Sequence, residues 1–389
     1  MKLAKRVSEI EYAIRDVVVP ATELENQGIE VLKLNIGDPL KFDFETPSHM
    51  IEALCKAGKD NMNFYGPSEG LPRLREAICR REKRLNNRSC TPEQIIITNG
   101  ISEGISMLFG ALLEPGDEIL VPGPTYPPYM AYTKFYGGVP VSYRTVEEKG
   151  WTPDVEDLES KISEKTKAVT VINPNNPTGA VYPKPVLDDI QKVASEHNVL
   201  LITDEIYDEM IFEKKHTTFP FTDAPMVMVN GFSKVYLATG WRMGYAIFCN
   251  CADLKEAVLK EARIRLCTNT LCQVAAAEAL DGPQNHIPKL VEKLRERRDF
   301  AWKRLNEIEG ISASKPEGAF YIFPRLPAEN DKQFVLDLLN EKHLLFVHGS
   351  GFCPIYGKGH LRSVFLPQVG VLEDAYNRLE EFVKAHYTH

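Results

Sequence analysis

No stretch of the 389-residue chain approaches the roughly 18 consecutive apolar residues that a membrane helix needs. Its first residues, "MKLAKRVSEIEYAIRD", are charged throughout and hold no apolar signal core. These absences lead us to expect a soluble, cytoplasmic protein with no membrane partner. Basic charge is also in short supply, with 46 Lys and Arg against 54 Asp and Glu and a net charge of −8. The basic residues are spread along the chain and offer no face to a phosphodiester backbone, which argues against nucleic acid as a partner. The eight cysteines include no repeated CxxC pair and have no neighbouring histidines, so they read as reduced thiols, and no metal site is expected. Internal repeats and low-complexity tracts are missing too.

What is present points to an α/β protein. The 26 prolines and 25 glycines cut the chain into short alternating segments, and a 43% hydrophobic content suffices for one large core and a second, smaller one. Helical patterns cover about 70–87 and 101–113, a strand follows at 117–123, another at 167–174, and a helix near 184–197. The runs at 198–207 and 226–230 are short and continuously apolar, as in strands buried on both faces of a mostly parallel sheet. Ligands in such sheets bind beyond the carboxyl ends of the strands, so "NPNNPTG", "DEIY" and "GFSK" should converge on one edge. After about residue 282 the pattern changes to a long charged helix at 287–308, short strands in "GAFYIF" and "HLRSVFL", and a helix at 371–385. We read 46–282 as a large cofactor-binding domain, and 1–45 with 283–389 as a smaller α+β domain.

The stretch "NGFSKVYLATGWRMGY" at 230–245 sets Lys234 after a Gly-Phe-Ser turn and Arg242 eight residues on. Lys234 could be an ordinary surface charge, or a nucleophilic amine beside an anion-binding arginine. An amine nucleophile is well served by an aldehyde cofactor, and the chain carries what pyridoxal phosphate requires. Asp204, at the end of a buried strand, is expensive to bury unless a cation such as a pyridinium nitrogen pairs with it. Asn176 and Tyr207 can donate to the phenolate oxygen, and Tyr126 can stack on the ring. The helix start at Gly100 and Ile101 offers free N–H groups to a phosphate, joined by Ser233 and the fork of Arg242. Arg362, a charge in an apolar strand-like run, can clamp a substrate α-carboxylate with help from the backbone at Gly37.

Taken together, "LNIGDP", "FYGPSEGLPRLREAI", "NPNNPTG", "DEIYDEM", "GFSKVYLATGWRMGY", "PEGAFYIFP" and "HLRSVFL" resemble, in order and spacing, the fold-type I pyridoxal-phosphate aminotransferases of class I/II. "EYAIRDVVVPATELE", "GPTYPPY" and "SKVYLATGWR" look most like the archaeal-type alanine aminotransferases within that group. The resemblance implies Lys234 as Schiff-base residue, Asp204 as pyridine partner, Asn176 and Tyr207 as phenolate donors and Arg362 as carboxylate clamp. It also implies a homodimer with shared active sites, in which Tyr65 crosses to the partner's cofactor phosphate.

The chain departs from the family at Gly231, where many relatives carry a phosphate-binding serine. Ile101 stands where members that handle aspartate can carry lysine. We therefore expect a ping-pong transfer from alanine to 2-oxoglutarate. Arg15 and Arg265 are the candidates for glutamate's second carboxylate. Aspartate or aromatic amino acids as donors, or β-elimination of a sulfur substrate, remain alternatives because the chemistry up to the carbanion is shared. Two non-enzymatic readings fit less well. A regulator module would call for a basic helix-turn-helix, absent before residue 30, and a cofactor-free binding protein would make Lys234, Asp204 and Arg362 coincidental.

Overall fold

The computed structural model describes residues 4–8, 10 and 12–387. Part of the charged N-terminal stretch, at positions 1–3, 9 and 11, lies outside the described residues. In chain order the strands are β1 (Leu32–Lys33), β2 (Ile95–Thr98), β3 (Glu118–Gly123), β4 (Val139–Val146), β5 (Thr152–Pro153), β6 (Thr166–Ile172), β7 (Leu200–Asp204), β8 (Met226–Gly231) and β9 (Gly244–Cys249). They are followed by β10 (Tyr321–Ile322), β11 (Leu344–Leu345), β12 (Val347–His348) and β13 (Leu361–Val364).

Eight strands form one sheet in the order β2-β9-β8-β7-β6-β3-β4-β5. The central neighbours β8, β7, β6, β3 and β4 run parallel, and antiparallel pairings lie toward the edges. The continuous apolar runs are explained by burial on both faces. Along β8, Val227 and Val229 enter the cluster beneath helices Gly100–Leu112 and Ala252–Arg265, while Met226 and Met228 face the other side. Along β6, Val169 and Val171 pack toward Leu187 and Ile190 of helix Lys184–Glu196. Each such side chain contributes about 1.5–3 kcal/mol of burial, which is why apolar residues dominate the middles of these strands, with Thr170 of β6 a buried polar exception.

The predicted elements differ from the observed ones mainly at their boundaries. The strand foreseen at 198–207 stops at Asp204, whose Oδ1 accepts from the Ile206 N–H at 3.2 Å and so turns the chain out of the sheet. The strand foreseen in "GAFYIF" shrinks to β10, because Ala319 takes a left-handed φ of 57° that no extended strand accommodates. Pro127 and Pro128 of "GPTYPPY" open helix Pro127–Phe135, where the missing N–H groups cost nothing.

The remaining strands form a second layer. β10, β13 and β12 make a three-stranded antiparallel sheet, and β1 pairs in parallel with β11, joining Leu32 to Leu344. One apolar cluster runs from Met228 and Tyr245 through Leu290 to Phe365 and Leu379, so the second layer is packed onto the first without a break. The division at residue 282, with 1–45 and 283–389 as a small domain, remains our proposal. It is supported by the end of helix Thr270–Asp281 at Gly282 and by the β1–β11 pairing.

Candidate active site

The carboxyl ends of β3, β6, β7 and β8 lie on one edge of the large sheet. β9 runs the other way, so its first residue, Gly244, sits opposite Gly231 and Thr98 on that same edge and carries Arg242 with it. A cavity of about 510 Å³ opens there. Of the residues singled out by sequence, Gly37, Ile101, Tyr126, Asn176, Asp204, Tyr207, Ser233, Lys234, Arg242 and Arg362 line it. Gly100 lies just behind the wall. Tyr65 does not line the cavity and is 81% exposed.

Lys234 Nζ donates to the Gly37 carbonyl at 2.6 Å and lies 5.4 Å from the Phe320 ring centre. Burial, with lesser contributions from the Arg362 and Arg242 charges, lowers its pKa to about 8, against the opposing pull of Asp38. Asp204 is 2% exposed and accepts hydrogen bonds from Tyr129 Oη at 2.8 Å and the Ile206 N–H. Its immediate neighbour Glu205 makes a useful contrast. Burial would raise both carboxyls, but Arg88 grips Glu205 through Nη1 and Nη2 at 2.9 and 2.7 Å and holds it well below the usual carboxylate range. Asp204 has no cation among the described residues, and burial pushes it up to about 6.

Arg362 is 1% exposed, held between the rings of Tyr321 and Phe352 with its guanidinium carbon 4.6 and 4.8 Å from their centres. Nη1 donates to Asn176 Oδ1 at 3.0 Å and Nη2 to the Asn35 carbonyl, while Nε has no partner among the described residues. No carboxylate there pairs with it, and burial lowers its pKa. Tyr207 Oη lies 2.7 Å from Tyr321 Oη, and the Tyr126 hydroxyl shares a hydrogen bond with Tyr12. Burial raises both phenols well above their ordinary value.

Glycine geometry explains how Arg242 meets the start of helix Gly100–Leu112. A Cβ on Gly100, whose φ is +71°, would lie 2.5 Å from Arg242 Nη2, and one on Gly244 would lie 2.7 Å from the Ile101 nitrogen. Only glycine at both positions lets the guanidinium and the helix end approach so closely. Asn99 makes no side-chain cap; it bonds instead to Glu103, whose carboxylate also accepts from the Asn99 N–H. Among the described residues, the Arg242 side chain donates one hydrogen bond, to the Thr239 carbonyl at 3.1 Å.

Two expectations need correction. Gly231 is not simply a lost hydroxyl, because a Cβ there would sit 2.7 Å from the Met243 carbonyl oxygen, leaving no room for a side chain on this backbone. Arg265 lies outside the cavity lining, with Nη2 bound to the carbonyls of Ser68 and Ile97 at 3.1 and 3.2 Å. Arg15 does line the cavity. Sequence reasoning missed Tyr129, Tyr321 and Asp38. Tyr129 sits one helical turn after Tyr126, a spacing that could have flagged it. Asp38 accepts from Thr239 Oγ1 at 3.0 Å and caps the short turn Pro39–Lys41.

The arrangement suits a phosphorylated pyridine aldehyde. An uncompensated buried carboxylate awaits a ring cation, an amine of lowered pKa can meet an aldehyde, and a helix start with an adjacent guanidinium can take a phosphate. The Asp204 carboxylate also affects the cofactor-free protein. Between about pH 4 and 6 the folded state holds a proton on Asp204 that the unfolded chain has released, so its contribution to stability falls as pH rises through that window. We expect Asp204→Asn to stabilise the cofactor-free protein by on the order of 2–3 kcal/mol above pH 6 and to be nearly neutral below pH 4. Urea unfolding at several pH values checks this, and a pH-independent difference would exclude it.

The aminotransferase class I and II family profile matches residues 29–371. The alanine aminotransferase of Mycobacterium tuberculosis is 39% identical over 399 aligned residues, covering 98% of this chain and 92% of its own. The glutamate-pyruvate aminotransferase of Escherichia coli is 35% identical, covering 99% and 98%. The solved alanine aminotransferase from Pyrococcus furiosus is 54% identical and superposes with a TM-score of 0.96 over 99% of this chain and 100% of its own.

Proposed function

The chain belongs to the class I and II aminotransferases, which makes it a pyridoxal-phosphate-dependent transaminase, and from that premise we propose that it moves the amino group of alanine to 2-oxoglutarate. The observation that carries the chemistry is the meeting of Lys234, Asp204 and Arg362 in one cavity. The choice of alanine is supported by the names of the relatives and by apolar Ile101 in the wall.

When bound, pyridoxal phosphate supplies an aldehyde for the substrate amine and a protonated ring that draws electrons from the substrate Cα. Asp204 keeps the ring nitrogen protonated, and Tyr129 holds the carboxylate in place. Asn176 accepts from Arg362 through Oδ1, which leaves its Nδ2 hydrogens for the phenolate oxygen, and Tyr207 supplies the second donor. Tyr126 covers the ring. Ser233, Arg242 and the Gly100 and Ile101 N–H groups take the phosphate, and in a homodimer Tyr65 of the other subunit adds to them.

Lys234 would hold the cofactor through its amine, and the freed amine would move the proton at the substrate Cα. With a pKa of about 8, roughly a tenth of the amine is neutral at pH 7, far more than for an ordinary lysine. Arg362 retains free donors, Nε among them, for the α-carboxylate, with the Gly37 backbone beside it. This fixes the Cα–H bond relative to Lys234. Pyruvate leaves before 2-oxoglutarate enters. Arg15, lining the cavity with a side chain that makes no hydrogen bond or ion pair among the described residues, takes the second carboxylate of the five-carbon substrate.

The test is the half-reaction from aldehyde to amine form, followed by absorbance with a panel of amino acids. Alanine and glutamate should react, and Arg15→Ala should slow glutamate about tenfold or more while leaving alanine within about twofold. Failure of alanine beside rapid reaction of aspartate or phenylalanine would overturn the donor assignment. Equal loss for alanine and glutamate would remove Arg15 from its role.

A further inference from the structure

Cys79 and Cys90 lie outside the cavity and play no part in the transamination chemistry described above. Cys79 is on helix Pro72–Asn86, which ends where Asn87 takes the left-handed conformation. The chain then turns back, and Cys90 Sγ comes to donate to Cys79 Sγ at 3.4 Å. Among the described residues this is the one hydrogen bond between two sulfurs. Both thiols are partly buried, within reach of a small oxidant. The bond from Cys90, aided by Arg80, lowers the pKa of Cys79, and the same bond raises that of Cys90. With the two sulfurs in contact, once one thiol has formed a mixed disulfide the other is already in place to resolve it.

We propose that Cys79 and Cys90 form a reversible thiol–disulfide site that reacts with low-molecular-weight disulfides. The Cys79 thiolate attacks one sulfur of glutathione disulfide, forming a mixed disulfide and expelling one glutathione thiolate. Cys90 loses its proton to solvent and attacks the Cys79 sulfur, breaking that bond and expelling the second glutathione thiolate. Two protein thiols are oxidised and one glutathione disulfide is reduced to two glutathiones. The sulfurs must close from 3.4 Å to about 2.05 Å, a shift small enough for the loop after the helix to absorb.

The ring so closed, residues 79–90, contains Arg81 and Arg88. Arg81 Nη2 holds Asp208 at 2.7 Å and Arg88 holds Glu205, on the segment that carries Asp204 and Tyr207. Oxidation therefore cross-links the scaffold beneath the cavity and leaves the cavity lining untouched. By limiting the unfolded chain, it should raise the unfolding midpoint.

The experiment equilibrates the holoenzyme with glutathione disulfide, alkylates remaining thiols under denaturing conditions and maps tryptic peptides. The expected product joins peptide 76–80 to peptide 89–134 within one chain, with two fewer alkylated cysteines, and is lost on adding dithiothreitol. Cys90→Ser should stop at the mixed disulfide on Cys79, and Cys79→Ser should form no internal bridge. Both variants should keep the transamination rate of the reduced enzyme. Full alkylation of Cys79 and Cys90, a bridge between chains, or a bridge to another cysteine would each overturn the proposal. A bridged protein whose midpoint does not exceed that of the reduced form rejects the stabilising role.

Discussion

Lys234→Ala is expected to lower the transamination rate by about 10⁴-fold or more, since proton transfer by a positioned base alone contributes about 10² to 10⁴ and the attachment of the cofactor is lost as well. Folding should survive the change. The lysine's hydrogen bond within the protein is to the Gly37 carbonyl, and the amine is held at a depressed pKa by its surroundings, so removing it relieves an electrostatic strain as well as breaking one contact. The variant should still take up the cofactor through Asp204, Arg242 and the start of helix Gly100–Leu112, but without the absorbance of the lysine-bound form. Small added amines should restore part of the rate by entering the vacated space. Turnover without added amine would mean that another group moves the proton.

Arg362→Leu should separate catalysis from stability in the same site. Two charge-assisted hydrogen bonds to the substrate α-carboxylate contribute about 1.5–3 kcal/mol each, so kcat/KM for alanine should fall by about 10² to 10⁴. The unfolding free energy should change by no more than about 2 kcal/mol. The substitution leaves Asn176 Oδ1 and the Asn35 carbonyl without their donor, but it also removes a buried guanidinium that has no carboxylate partner among the described residues. Leucine can occupy part of the space between Tyr321 and Phe352. Steady-state kinetics with denaturant unfolding of the same preparation reads both quantities. A variant that loses several kcal/mol of stability while keeping its affinity for alanine would make Arg362 a packing residue.

The contrast between Asp204 and Glu205 shows where sequence reading stops. Both are acidic and adjacent at the end of one apolar run, and the sequence alone supplied a reason why such a place is expensive for a charge. It could not supply the partner of each. Arg88 reaches Glu205 across more than a hundred residues, and Tyr129 reaches Asp204 from a helix on another connection. Those meetings depend on the order in which strands lie side by side, with β7 between β8 and β6, and periodicity carries no information on that order. Continuous apolar runs did identify the parallel strands, and the rule that their carboxyl ends share an edge brought Asn176, Asp204, Tyr207 and Lys234 together. Gly231 was legible as an exception but not as a cause, because the carbonyl that fills its side-chain space belongs to Met243 on the connection leading into β9. The pairing of Cys79 with Cys90 was hidden for a similar reason, since only the turn at Asn87 brings them together.

The strand pairing has a consequence for how such an enzyme can change its diet over evolutionary time. The residues we place around the cofactor within one subunit, from Gly100 to Arg242, all belong to the stretch that builds the eight-stranded sheet. Of those facing the substrate, Arg15, Gly37 and Arg362 come from its two flanks, which the β1–β11 pairing brings together, and Ile101 alone of those we name comes from the middle. A gene built this way can alter its ends and try new amino donors while the inherited middle goes on holding the same cofactor.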